Sequence, residues 1–196
     1  METARLETFS DGVFAIAATL LILEIRLDGH GTLTHQLLHL WPSYFAYAVS
    51  FLTIGIMWLN HHEIFRHVRS TNRTFLVISV VFLMVIAFLP FPTHVLAQHL
   101  NDDQARTAAV FYGLTSVAMA VMFSTLWFYA IRNDRLLGAD VDARAVSGIS
   151  RSFLPGIPLY LLATLSAFIS SWLAVVLFGA LALFYVVESS LFGRSD

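Results

Sequence analysis

The residues with chemistry to offer sit at the ends of apolar runs. Ser10 and Asp11 stand near one end of FSDGVFAIAATLLILEI (9–25), with Glu24 near the other. Trp58, Asn60, His61 and His62 form a second group within GIMWLNHHEIF (55–65). A carboxylate on the threshold of so apolar a segment needs water or a donor. Either histidine, or the indole N–H of Trp58, can donate to Asp11. On the other side of the apolar run, His35 and His39 lie one helical turn apart, with His30 nearby. That trio reads either as solvated loop polarity or as a regulatory zinc or copper site. No H-E-x-x-H spacing, nucleophile–base pair or metal triad is visible, so neither an enzyme nor a resident metal or cofactor is expected.

The elements that carry these groups must lie in a membrane. The chain is 58% hydrophobic and 12% charged, about half the usual charge of a soluble domain. A soluble protein of 196 residues has no core large enough to hide that surface. A net charge of −2 gives no footprint for nucleic acid, and with no cysteine there is neither a disulfide framework nor a thiolate metal site. All eleven basic residues are Arg, a bias of GC-rich bacterial coding, which suggests a bacterial plasma membrane. The opening METARLETFSDG has two Glu, and no small-residue cleavage site follows, against a cleaved signal peptide.

Six apolar segments predict an all-α, polytopic protein forming one domain over 1–196: about 8–27, 42–62, 74–97, 106–130, 154–170 and 172–190. Pro42 suits a first helical turn, Pro90 and Pro92 should kink or unwind the third segment, and Pro155 and Pro158 should shorten or kink the fifth. With the N-terminus inside, the inner side holds Arg5, Arg66, Arg69, Arg73, Arg132, Arg135, Arg144, Arg151 and Arg194, and the outer side only Arg26 and Arg106. Both termini are therefore expected in the cytoplasm.

At 100° per residue, Phe9, Val13, Ile16, Leu20, Leu23 and Leu27 share a stripe about 80° wide, with Gly12 and Thr19 at one rim. Asp11 falls about 140° from Ile16, and Ser10 about 120° on the other side. If Ile16 points at an axis, Asp11 points back into the bundle; alternatively Ser10 and Asp11 merely N-cap the helix in the headgroup layer. Such an Ile/Leu stripe is more often ordinary packing than a pore, since periodicity alone does not make a channel.

Arg5-x-x-x-Phe9-Ser10-Asp11, the long helix behind it, and Trp58-x-Asn60-His61-His62 together resemble the transmembrane-protein-175 family of potassium channels. The likeness covers the six-helix layout, in its bacterial single-repeat form. It implies a homotetramer with helix 1 of each subunit around one pore, in a fold unlike that of channels built on a TVGYG filter loop. By that resemblance Ile16 forms the narrowest hydrophobic ring, Leu20 and Leu23 line the pore further out, and Thr19 contributes to potassium preference. It likewise implies that Arg5, Phe9, Ser10 and Asp11 meet Trp58, Asn60, His61 and His62 in an inner polar cluster. The permeant ion would be K⁺, conducted by partial dehydration through an apolar neck that closes by dewetting.

Glu24 with Arg26 departs from this pattern. It lies either at the mouth, where a ring would attract cations, or on the wall. The rival function is a proton-coupled transporter using Asp11, His61 or His94 as a relay. Against it, no inverted repeat is visible, and Asp11 is near the surface instead of the midplane.

Overall fold

The computed structural model describes residues 3–27, 31–132, 136–137 and 143–192. His30, Arg135 and Arg194, and the side chain of Arg144, lie outside the described residues. Among those described the fold is all-helical, with no strand beyond an isolated bridge between Val68 and Leu137.

The chain enters as α1 (Thr3–Leu23), followed by a short α2 (Leu33–His39) and the long α3 (Trp41–His67). The first helix begins well before residue 8, so Ser10 and Asp11 lie two turns inside it and cap nothing. The N-cap reading is thereby excluded. Pro42 falls in the first turn of α3, where its missing N–H costs no hydrogen bond.

The third apolar segment is divided. α4 (Arg73–Phe88) is capped by Asn72, whose Oδ1 accepts from the Phe75 N–H at 2.8 Å; α5 (Pro90–His99) resumes after Leu89. Pro90 breaks the ladder there because it has no N–H to donate. The two pieces still follow one another as a 27-residue apolar span.

α6 (Ala105–Ile131) crosses back, and α7 (Ala143–Phe153) lies beyond its Arg-rich end. Trp127 Nε1 donates to Ser150 Oγ at 2.9 Å, and Phe153 packs edge-on against Phe123, so α7 is tied to α6. α8 (Gly156–Ser166) and α9 (Ser171–Phe192) complete the bundle. Among the described residues, five helical spans are long and apolar enough to cross a membrane. α8, at 11 residues, rises only about 16 Å, half the hydrocarbon thickness.

α3 and α6 form the middle of the bundle. α1 packs on α3, α4 and α5, whereas α8 and α9 pack on the far side against α6 and α3. The interior is tied by hydroxyls: Ser50 Oγ lies 2.8 Å from Thr93 Oγ1 and 3.1 Å from the Tyr112 hydroxyl, linking α3, α5 and α6. Polar links of this kind hold helices together where lipid removes the hydrophobic drive. Gly113 lets α6 approach α8 and α9; a Cβ there would overlap Thr164 Oγ1 and lie 2.9 Å from Phe178 Cζ.

Candidate functional site

α1 is held by one face and open on the other. Leu6, Ser10, Phe14, Ala17 and Leu21 are buried, in the i, i+4, i+7 rhythm of a packed stripe. Phe9, Ile16, Leu20 and Leu23 are exposed, with Ile16 at 61%, and Gly12 and Thr19 are exposed beside them. Only 22% of α1's apolar window is buried, against 56% in α6. Helical angles explain the split: the buried set centres about 120° from Ile16.

That geometry corrects the expectation for Asp11. Ser10, not Asp11, faces the interior; it is wholly buried, with Oγ donating to the Leu6 carbonyl at 2.8 Å. Asp11 lies on the flank of the buried stripe and is exposed. It reaches sideways to α3, where Trp58 Nε1 donates to its Oδ1 at 2.8 Å. One turn toward the N-terminus, Glu7 Oε1 lies 3.1 Å from His62 Nδ1. Since α3 runs back past α1, residues four apart on each helix make two rungs of one antiparallel ladder.

The histidines therefore do not serve Asp11. His62 is taken by Glu7, and His61 is 1% exposed among rings. Phe14 meets it edge-on at 5.4 Å, and Phe65 stacks on it at 4.5 Å. Neither of its nitrogens has a hydrogen-bond partner among the described residues. Arg5 is exposed and makes no hydrogen bond or ion pair there, so it does not join the cluster. Phe9 points outward, and Asn60 is half-buried beside a cavity of about 30 Å³ that Thr53, Ser124, Tyr160 and Tyr185 also line.

At the other end of α1, Glu24 Oε2 lies 3.0 Å from His94 Nδ1 on α5. Both are partly buried, and the contact is an ion pair in distance without hydrogen-bond alignment. Arg26 turns instead to the Leu23 carbonyl, at 3.2 Å from its Nε. Glu24 thus sits on the wall between α1 and α5. Glu7 and Asp11 on α1, and Glu24 just past its end, tie the helix at both ends, while among the described residues no polar contact joins its middle to the bundle. Thr19 Oγ1 donates to the Ile16 carbonyl at 2.9 Å, which leaves its oxygen lone pairs free to accept.

These features have counterparts of known kind. Residues 5–90 match the family described as the endosomal/lysosomal potassium channel TMEM175. A Chamaesiphon minutus protein named a potassium channel is 44% identical over 194 residues, covering 96% of each chain. The chain belongs to the TMEM175 family. A crystal structure of the lysosomal potassium-selective channel TMEM175 homolog from Chamaesiphon minutus aligns with a TM-score of 0.87 at 42% identity, over 95% of this chain and 97% of that one. A Streptomyces collinus protein, also named a potassium channel, is 46% identical over 188 residues, covering 94% of this chain and 91% of that protein.

A Gallus gallus TMEM175, named an endosomal/lysosomal proton channel, is 32% identical over 143 residues, covering 67% of this chain but only 28% of its own length. This TMEM175 chain is therefore a single-repeat, multi-pass membrane protein. Its relatives are named as ion channels, not as enzymes. Two residues of its clamps, Glu7 and His94, were not legible as partners in the sequence. A carboxylate four residues before Asp11, matched by a histidine four residues after Trp58, is the only signal that points to the first.

Proposed function

We propose that this TMEM175 chain is one subunit of a potassium-selective channel in a bacterial plasma membrane, a homotetramer with α1 of each subunit facing a central pore. The observation that carries this reading is the outward apolar face of α1. A helix clamped by carboxylates at both ends presents Ile16, Leu20 and Leu23 away from its own bundle. Four such faces around an axis make a hydrophobic neck at Ile16, with Thr19 one turn outward.

The neck has no oxygen to replace water, so the ion passes partly dehydrated and the pore closes by dewetting. Potassium loses its hydration shell at lower cost than sodium, which gives a modest preference. The Thr19 oxygens, free as acceptors, would sharpen it. Names of close relatives as potassium channels support the ion.

The test is bi-ionic: purified protein in planar bilayers with K⁺ on one side and Na⁺ on the other. The expected current reverses toward the K⁺ potential at rates far above transporter turnover. Flux that requires a proton gradient would replace this reading with the transporter.

A further inference from the structure

We propose that His35 and His39 form a bidentate site for a late transition-metal dication, on the outward loop between α1 and α3. The two side chains are four residues apart on α2, and both are exposed. Their ring centroids are 4.0 Å apart at an interplanar angle of 42°. Among the described residues neither imidazole makes a side-chain hydrogen bond or ion pair, so both keep a lone pair for a ligand bond. His99 differs, since its Nδ1 is held by Asp102 at 2.7 Å, and so does His62.

The backbone under the pair is fixed in advance. Thr32 caps α2, its hydroxyl accepting from the His35 N–H at 3.3 Å. Gly31 turns the chain with φ +78, a conformation open to glycine, and Gln36 Nε2 donates to its carbonyl at 3.3 Å. A Cβ on Gly31 would lie 3.5 Å from His35 Nδ1, so that nitrogen leans over the turn. At the other end α2 runs through Leu40 directly into α3.

A metal bound by one nitrogen of each ring needs the two nitrogens about 2.9 Å apart at the right angle of tetragonal copper(II), or about 3.4 Å at a tetrahedral angle, with bonds of about 2.0–2.1 Å. The rings are already 4.0 Å apart and tilted by 42°, and χ2 rotation of each would turn one nitrogen of each toward a common ion. Among the described residues no third His, Cys, Asp or Glu completes a closed cage. Water therefore fills the remaining positions, as in an open site and not a structural one. Two neutral imidazoles with water favour copper(II) over nickel(II) and zinc(II), by the Irving–Williams order. The bound ion would bridge successive turns of α2 and stiffen the connection between α1 and α3.

The experiment uses tag-free protein, stripped of metal, in detergent. Calorimetric titration with Cu²⁺, Ni²⁺ and Zn²⁺ is expected to show one site per chain, tightest for Cu²⁺. His35→Ala and His39→Ala are each expected to lower Cu²⁺ affinity at least tenfold, while His99→Ala leaves it unchanged. Both positions are exposed, so the variants should keep the parent's apo unfolding temperature, and only the parent should gain thermal stability with metal. A doubly substituted chain that binds Cu²⁺ as the parent does would overturn the assignment, as would a parent that binds none.

Discussion

Asp11 and Trp58 meet at 2.8 Å across α1 and α3, and one turn away Glu7 and His62 repeat the contact at 3.1 Å. Glu24 and His94 close the far end of α1 at 3.0 Å. A helix secured in this way packs along its length by one stripe, through Phe14, Ala17 and Leu21, and leaves its other face uncovered. That open face is the one proposed to meet other chains and to line the ion path.

The Asp11–Trp58 rung should show as coupling. Asp11→Ala, Trp58→Phe and the double variant form a thermodynamic cycle read by thermal unfolding in detergent. A coupling of about 1 kcal/mol or more is expected for a hydrogen bond to a charged acceptor. Additive losses would mean that the two groups only touch. Loss of Asp11 should impair folding or assembly before it alters ion preference.

Ile16 and Thr19 should separate in function. If Ile16 forms the proposed neck, Ile16→Asn would place an amide in it, wet it and raise the resting current. Thr19→Val should lower K⁺ over Na⁺ discrimination while current persists. Unchanged permeability ratios in the Thr19 variant would remove its hydroxyl from selectivity, and an unaltered Ile16 variant would make that residue packing.

Gly113 should tolerate no side chain. Gly113→Ala drives a methyl into Thr164 and against Phe178, at 2.8 Å from Thr164 Cγ2. Overpacking of this kind costs about 1–3 kcal/mol. Adding Thr164→Ala removes both overlapping Thr164 atoms and should recover most of the unfolding temperature. Failure of that rescue would place the strain elsewhere.

The Asp102 carboxyl, outside the spans, is held below its ordinary value of 3.8, first by the hydrogen bond from His99 and then by the Gln104 N–H. Its charged form is thus favoured in the folded loop. Whatever it adds to stability is present above pH 3.8 and is lost as pH falls through the lowered value. A carboxyl NMR titration should find its midpoint below 3.8, and His99→Ala should move that midpoint upward. A midpoint indifferent to His99 would contradict the assignment.

Much of this arrangement was legible in the chain because it depends on local rules. The positions of apolar runs, Pro42 at a helix start and Pro90 at a break follow from hydropathy and a missing N–H. The angle between Ile16 and the buried stripe follows from 100° per residue. The start of α1 was missed because hydropathy finds apolar residues, not helix, and Thr3–Thr8 are helical though polar. Spacing offers Trp58, His61 and His62 alike as donors to Asp11 and cannot choose among them, because it reveals neither which way a ring turns nor which phenylalanines enclose it. The Glu24–His94 contact joins residues on separate helices, and no local pattern announces such a partner.

The sharpest test uses the absence of cysteine in this chain. Single Leu20→Cys and Leu23→Cys variants, reconstituted in bilayers, would be exposed to a charged thiol reagent during current recording, with Val80→Cys and Met84→Cys on exposed faces of α4 as controls. If α1 lines the pore, both α1 variants lose current on modification and the α4 variants do not. Block at the α4 positions with none on α1 would place the ion path elsewhere.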